Sequence, residues 1–147
     1  MKSPNSFFAK LILLIMYFFV LLFTYWTFYP YKPLVIESPV EVITKDVWVG
    51  EFVLVKYNFT KNTSVQPVIR KSLVDGIVFL LPNTHPINRA GGREDKVVST
   101  LIVPSTVPCG EYYIKYVATY EMNPIRTVIV EYESETFTIH SPLCGDK

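Results

Sequence analysis

The sequence has few of the residues on which most catalytic and metal sites depend. Its 147 residues include two cysteines and two histidines, with no Cys-x-x-Cys pair. That excludes the usual cysteine-based metal and redox motifs, and there is no glycine-rich phosphate loop or Ser-His-Asp motif.

The sequence also lacks an excess of positive charge. The 115 residues after Lys32 carry 11 Lys and Arg against 13 Asp and Glu, a formal charge of −2. This argues against nucleic-acid binding, which requires a basic surface.

Long uncharged stretches are absent except at the N-terminus, where Leu11–Tyr29 holds 19 residues without one charge. As a helix this stretch is about 28 Å long, close to the ~30 Å hydrocarbon core of a bilayer. Its last residues are rich in Tyr and Trp, which prefer the headgroup level. We therefore predict a transmembrane helix over 11–29, in contact with membrane lipid, after a cytoplasmic segment 1–10.

The orientation and fate of this helix follow from its flanks. Lys2 and Lys10 precede it and no acidic residue does, so the positive-inside rule places the N-terminus in the cytoplasm and the remainder outside. A cleaved signal peptide is disfavoured because Thr24–Tyr29 offers no small-residue cleavage site. A buried soluble helix is disfavoured because the remaining 115 residues could hardly surround it.

After a predicted linker over 30–39, the pattern over 40–147 is that of one β domain with no further helix. The period of two that marks a half-buried strand is clearest in 51–60 and in 110–120. In the second of these, alternate residues form one apolar face: Tyr112, Ile114, Tyr116, Ala118 and Tyr120. Residues 122–124 form a turn into a returning strand, whose apolar parity changes near Glu133–Glu135, as a bulge would cause.

Three further features divide the middle of the domain. Asp75-Gly76 lies between two apolar pairs and indicates a hairpin, or else a bend within one long strand. Residues 82–96 read as an exposed loop, and 97–103 as the next strand. Six to eight strands at such spacing predict an antiparallel sandwich.

The segment Pro108–Tyr116 carries a Pro-x-Gly-x-Tyr pattern in Pro108, Gly110 and Tyr112. It resembles the corner at which immunoglobulin-like and fibronectin-III-like sandwiches enter a central strand. The resemblance implies an all-β, immunoglobulin-like or fibronectin-III-like antiparallel sandwich behind one transmembrane helix. It also implies that the tyrosine hydroxyl bonds to a nearby backbone group. The antibody-type pair of intersheet cysteines is absent, so the domain is not of the antibody type.

Most of the chain also resembles a group of small, uncharacterised proteins of bacteriophages and prophages, built from an N-terminal membrane segment and one β domain. The resemblance is carried by residues 31–34, by 73–82 and by 120–139. It implies a viral origin and a location in the host envelope, and it implies no chemistry.

The two cysteines, Cys109 and Cys144, are candidates for a disulfide if the domain is extracytoplasmic. Such a bond closes a loop of about 35 residues and contributes roughly 2–4 kcal/mol. The alternative is two separate thiols.

His85 and His140 are too isolated to indicate a metal site. The alternating glutamates between 131 and 135 are typical of a solvated sheet face or a protected edge.

The residues most suited to a partner contact are arginines in predicted loops and turns. Arg89 and Arg93 lie in the loop 88–95, and Arg126 follows the turn at 122–124. Loops on a rigid sandwich often carry recognition, and the guanidinium groups of Arg89 and Arg93 could pair with acidic groups of a partner or with lipid headgroups. A mobile loop and ordinary turn chemistry explain the same residues without a partner.

These observations predict no catalytic residue, metal or cofactor, and they favour a membrane-anchored extracytoplasmic domain that acts by binding or assembly. Its partner is expected to be a protein of the envelope. One alternative is an accessory subunit of a membrane complex, in which the aromatic-rich helix is itself a contact surface. Another is a periplasmic enzyme, which requires a pocket of convergent polar groups that the sequence does not show.

Overall fold

The computed structural model describes residues 4–29, 31–37, 39–84 and 92–142. The chain divides into two compact units, Met1–Tyr31 and Lys32–Lys147. The first contains a single helix, α1 (Pro4–Phe28). The strands of the second are β1 (Leu34–Ile36), β2 (Glu41–Val42), β3 (Asp46–Trp48), β4 (Phe52–Lys61), β5 (Val68–Asp75), β6 (Ile77–Leu80), β7 (Gly92–Ile102), β8 (Gly110–Asn123), β9 (Arg126–Glu133) and β10 (Phe137–His140).

The helix α1 is long and apolar enough over Phe7–Phe28 to cross a membrane, and its apolar side chains are exposed along that span. It begins at Pro4, seven residues before the predicted start, because proline fits the first turn of a helix. Its two threonine hydroxyls donate to the carbonyls of Val20 and Phe23 at 2.8 Å each. These polar groups are therefore satisfied within the helix, as an apolar solvent requires.

One sheet is built around β4. The strands β1 and β2 pair antiparallel with different parts of one side of β4, and β7 pairs antiparallel along its other side. The strand β1 lies inside the segment predicted as linker, and its pairing with the last residues of β4 makes it part of this sheet. On the inner face, Val53 and Val55 are fully buried.

The other sheet has the order β3-β10-β8-β5-β6, and β9 pairs with the far end of β8. All of its pairs are antiparallel except β3 with β10. Lys115 pairs with Glu133 but Tyr112 pairs with Phe137, so three residues on β8 correspond to four on the returning chain. The predicted slip near Glu133–Glu135 is thus confirmed. There, the Ser134 hydroxyl accepts a hydrogen bond from the Ile114 amide at 2.9 Å.

The core lies between the inner faces of the two sheets. All five residues predicted to share one face of β8 are buried, because the period of two holds over that whole stretch of the strand. Tyr112, Ile114 and Tyr116 belong to a core cluster with residues of the opposite sheet and of β10, including Val53, Val55, Leu101, Phe137 and Ile139. Ala118 and Tyr120 form a second buried cluster with Leu34 of β1.

Two predictions for the middle of the domain had different outcomes. The hairpin at Asp75-Gly76 is confirmed: Asp75 pairs with Ile77, and Gly76 has a φ of 62°, which favours glycine. The loop prediction for 82–96 is wrong at its end, since β7 already begins at Gly92. The first residues of β7 are polar, but they pair with the last residues of β4, where Arg93 lies opposite Thr60. This pairing extends the strand beyond its apolar part.

Candidate binding surfaces

The predicted corner brings Pro108, Gly110 and Tyr112 together at the start of β8. The buried Tyr112 hydroxyl donates a hydrogen bond to the Pro108 carbonyl at 3.1 Å. At Gly110, a Cβ would contact the Asp75 carboxylate and lie 3.2 Å from the Tyr112 ring, so a side chain would crowd both neighbours. Burial raises the pKa of Tyr112, and the Asp75 charge raises it further. The Asp75 carboxylate of the β5–β6 hairpin therefore lies close to the start of β8 at Gly110.

We expect Tyr112→Phe to lower the free energy of unfolding by about 1 kcal/mol. The substitution keeps the ring but leaves the Pro108 carbonyl without its hydroxyl donor. Denaturant unfolding of the full chain in mild detergent measures the change. Tyr113→Phe is the matched control, because Tyr113 lies next along β8 on the opposite, outer face. Equal stability of the two variants would contradict a structural role for the bond.

Cys109 is disulfide-bonded and lies just before β8. The only other cysteine of the sequence, Cys144, lies outside the described residues. The backbone pairing next to Cys109 joins Gly110 to Ile139, which places the cysteine beside the end of β10.

The three predicted contact arginines do not form one site. Arg89 lies outside the described residues, and Arg93 belongs to β7 in the first sheet. Arg126 begins β9 in the second sheet, opposite Asn123 across the hairpin, and is half-buried.

Two glutamates form ion pairs with lysines on the domain surface. Glu41 bonds to Lys56 at 3.0 Å, and Glu131 bonds to Lys115 at 2.8 Å. The hydrogen bond from Lys115 to Glu131 raises the pKa of the lysine, and the charge of Glu131 adds to this. Among the described residues, no group of three or more His, Cys, Asp or Glu could hold a metal ion.

The remaining described histidine, His140, lies beside an exposed tryptophan. Its Nε2 is 3.4 Å from Asp46 Oδ1, and its ring centroid is 5.4 Å from that of Trp48. The three side chains come together because β3 and β10 pair in parallel, with Asp46 and Trp48 on the outer face. Such a surface group is a polar contact with an aromatic neighbour, and it lacks a nucleophile.

A groove of about 380 Å³ opens where the chain passes between the two sheets. Its lining is mostly charged or polar: Pro39, Glu41, Lys45, Lys56, Tyr57, Asn58 and Glu135. Lys56 and Glu41 already neutralise each other. The groove is a wide surface depression and presents no enclosed site for a small molecule.

Three tyrosines link the two sheets: Tyr116 is buried in the core, and Tyr57 and Tyr132 are half-buried and pack against it. Tyr116 and Tyr132 face each other across β8 and β9 with stacked rings, 4.8 Å between centroids and 6° between planes. The Tyr57 ring, from the first sheet, lies 6.3 Å from that of Tyr132. Burial raises the pKa of all three phenols, because a buried tyrosinate is poorly solvated. We call these residues the tyrosine cluster, and its role is structural.

The most exposed apolar part of the domain is the strand β6, whose sequence is Ile-Val-Phe-Leu. Ile77, Val78 and Leu80 are exposed, and Phe79 packs with its ring 6.2 Å from that of Tyr112. Among the described residues, β6 pairs with β5 on one side and with no strand on the other. We call this strand the β6 edge. Sequence reasoning missed it, although a run of four apolar residues just after Asp-Gly was a signal.

A second apolar surface lies on the outer face of the first sheet. Phe52 and Ile102 are exposed and face each other directly, and Val98 lies two pairs along the same face. Exposed apolar clusters of this kind are typical of contact surfaces.

In comparisons with known proteins, no family matched the chain, and no curated protein matched it.

Proposed function

We propose that this chain is a single-pass membrane protein whose β domain lies outside the cytoplasm and acts by binding or assembly. The observation that carries the proposal is the pairing of one exposed, apolar helix with a separately packed β unit. The apolar surface of α1 requires a nonpolar solvent, and its length matches a bilayer. Lys2 precedes α1 and Lys10 lies in its N-terminal part, before the uncharged stretch Leu11–Tyr29, which favours a cytoplasmic N-terminus.

We further propose an immunoglobulin-like or fibronectin-III-like fold for the domain. Its support is the antiparallel sheet with one parallel edge pair, β3 with β10, together with the bond from Tyr112 to Pro108. Domains of this architecture commonly serve as contact modules, which is an argument by analogy of fold. The resemblance to phage-encoded proteins supports a place in the host envelope.

Binding is favoured over catalysis by how the polar groups are arranged. The described carboxylates of Glu41 and Glu131 are neutralised by surface lysines, and the open groove is lined by such a pair. An active site needs titratable groups that converge in a pocket. Apolar side chains, in contrast, are exposed on both sheets.

Thiol labelling of intact cells tests the orientation. A membrane-impermeant maleimide should label Ser105→Cys, which is exposed in the domain, without permeabilisation. The same reagent should label Ser6→Cys, which precedes the apolar span, only after the membrane is opened. Both variants add one cysteine to the full chain, so each controls for the reactivity of the other. Labelling in the reverse pattern would reject an extracytoplasmic domain.

Purification in mild detergent tests the binding role. The tagged full chain should retain a stoichiometric partner or a second copy of itself. Recovery as a monomer without any partner, under conditions that preserve other membrane complexes, would contradict the proposal.

A further inference from the structure

We propose that the β6 edge is a self-association site, at which two copies of this chain pair their β6 strands antiparallel and join their sheets. This inference rests on the proposed anchored function only in placing the copies in one membrane. The argument comes from the side chains of β6, the direction of its backbone groups and the charges on its sheet.

The side chains of β6 give it the character of an unprotected edge. Edge strands of soluble proteins are usually blunted by charge, proline or a bulge. The β6 edge has none of these within its four residues, and Val78 and Leu80 on its outer face are 58% and 81% exposed. An apolar edge of this kind is a template for another strand.

The backbone of β6 has hydrogen-bonding groups directed away from the sheet. The Leu81 amide donates to the Lys71 carbonyl at 3.0 Å, and these two residues are in register with the β5–β6 ladder. Odd-numbered residues of β6 therefore face β5, because the bonded pairs of an antiparallel ladder alternate. The amides and carbonyls of Val78 and Leu80 consequently point to the open side.

In one antiparallel register of two β6 strands, the amides and carbonyls of both Val78 and Leu80 form hydrogen bonds with the other copy. If Phe79 lies on the two-fold axis, Val78 of each copy pairs with Leu80 of the other, and four backbone hydrogen bonds form. A shift by two residues in either direction would instead place Leu80 opposite Gly76, or Val78 opposite Pro82, which has no amide. The side chains brought together in the Phe79-centred register are all apolar.

Charge selects β6 over β9 as the strand for pairing with a second copy. Among the described residues β9 also pairs on one side only, but its outer face carries Glu131 and Glu133. Antiparallel pairing of two β9 strands centred on Tyr132 would bring Glu131 of one copy opposite Glu133 of the other, which is unfavourable. No charged residue lies within β6, and Asp75 before it would face Asn83 in the Phe79-centred register.

The size of the contact explains why membrane anchoring matters. A four-residue strand pair covers less than the roughly 800 Å² per partner of a standard stable interface. Copies held by α1 in one membrane meet at a raised effective concentration, so a weak edge contact is populated there. The full chain in a membrane is therefore the form to test.

Cysteine cross-linking tests the register. Full chains with Val78→Cys and with Leu80→Cys, carrying different tags, are expressed together and oxidised in membranes. The register predicts that the mixed pair cross-links at least several-fold more than either variant with itself, since paired Cα atoms are about 5.5 Å apart. Ile129→Cys on β9 is the matched control: Ile129 is 59% exposed, against 58% for Val78, and should not cross-link.

A charge substitution tests whether the β6 edge drives association. Val78→Lys should reduce recovery of a differently tagged copy at least tenfold, and Ile129→Lys should leave it unchanged. Equal recovery of both variants and the unmodified chain would place self-association elsewhere, for example on α1, and overturn the proposal. Cross-linking of Val78→Cys only to another protein would also overturn it. In either case the labelling of Ser105→Cys still reports separately on the anchored function.

Discussion

Replacing Tyr116 by alanine is expected to lower the free energy of unfolding of the domain by about 3–5 kcal/mol. Tyr116 is 2% exposed and lies where the two sheets meet, stacked on Tyr132 and within the core cluster. Truncation removes a whole ring and leaves a cavity between packed strands. Because the strands are held in place by their hydrogen bonds, the surrounding structure fills the cavity only in part. A loss of this size is a large fraction of the 5–15 kcal/mol stability of a typical domain.

Denaturant unfolding of the full chain in detergent, followed by circular dichroism, measures this loss. Tyr113→Ala is the matched control on the outer face of the same strand, opposite Val74, and should cost about 0.2–1 kcal/mol. A double-mutant cycle with Tyr132→Ala should give a coupling of roughly 0.5–1.5 kcal/mol for the stacked rings. Similar losses for the Tyr113 and Tyr116 variants would contradict the assignment of inner and outer faces.

The strand that carries these tyrosines was the part of the fold most readily predicted from sequence. A period of two that persists through Tyr112, Tyr116 and Tyr120 specifies which face is buried, since a slip of one residue would expose every ring. The slip near Ser134 was predictable for the same reason, because the apolar parity changes there. The start of β7 was not predictable: Gly92 and Arg93 become strand through pairing with β4, a tertiary effect.

The candidate sites divide in the same way. The corner at Tyr112 could be predicted because its motif is local in sequence. The sheets to which Arg93 and Arg126 belong could not be predicted, because sheet membership is decided by distant pairings. The β6 edge escaped prediction for a related reason. A short apolar run is typical of a central strand as well as of an edge strand. Only the strand order of the folded sheet shows that β6 lies at its edge.

Tyr116, Tyr120 and Tyr132 also lead us to expect steep destabilisation of the domain above pH 10. Burial raises the pKa of Tyr116 and Tyr132 well above 10, the value expected in the unfolded chain, and it raises the pKa of Tyr120 to about 12. The unfolded state therefore loses these protons first as the pH rises. Stability is complete below pH 10 and then falls by about 1.4 kcal/mol per pH unit for each such tyrosine.

Unfolding free energies measured at several pH values between 9 and about 12, with tyrosinate absorbance recorded in parallel, test this expectation. Tyr132→Phe removes one ionising group while keeping the stacked ring, so the slope above pH 10 should fall by about 1.4 kcal/mol per pH unit. Below pH 10 the same variant should show no change in slope, which separates the ionisation from any packing defect. Ionisation of all tyrosines near pH 10 with the domain still folded would mean that these phenols are solvated, and it would contradict the cluster as a closed element of the core.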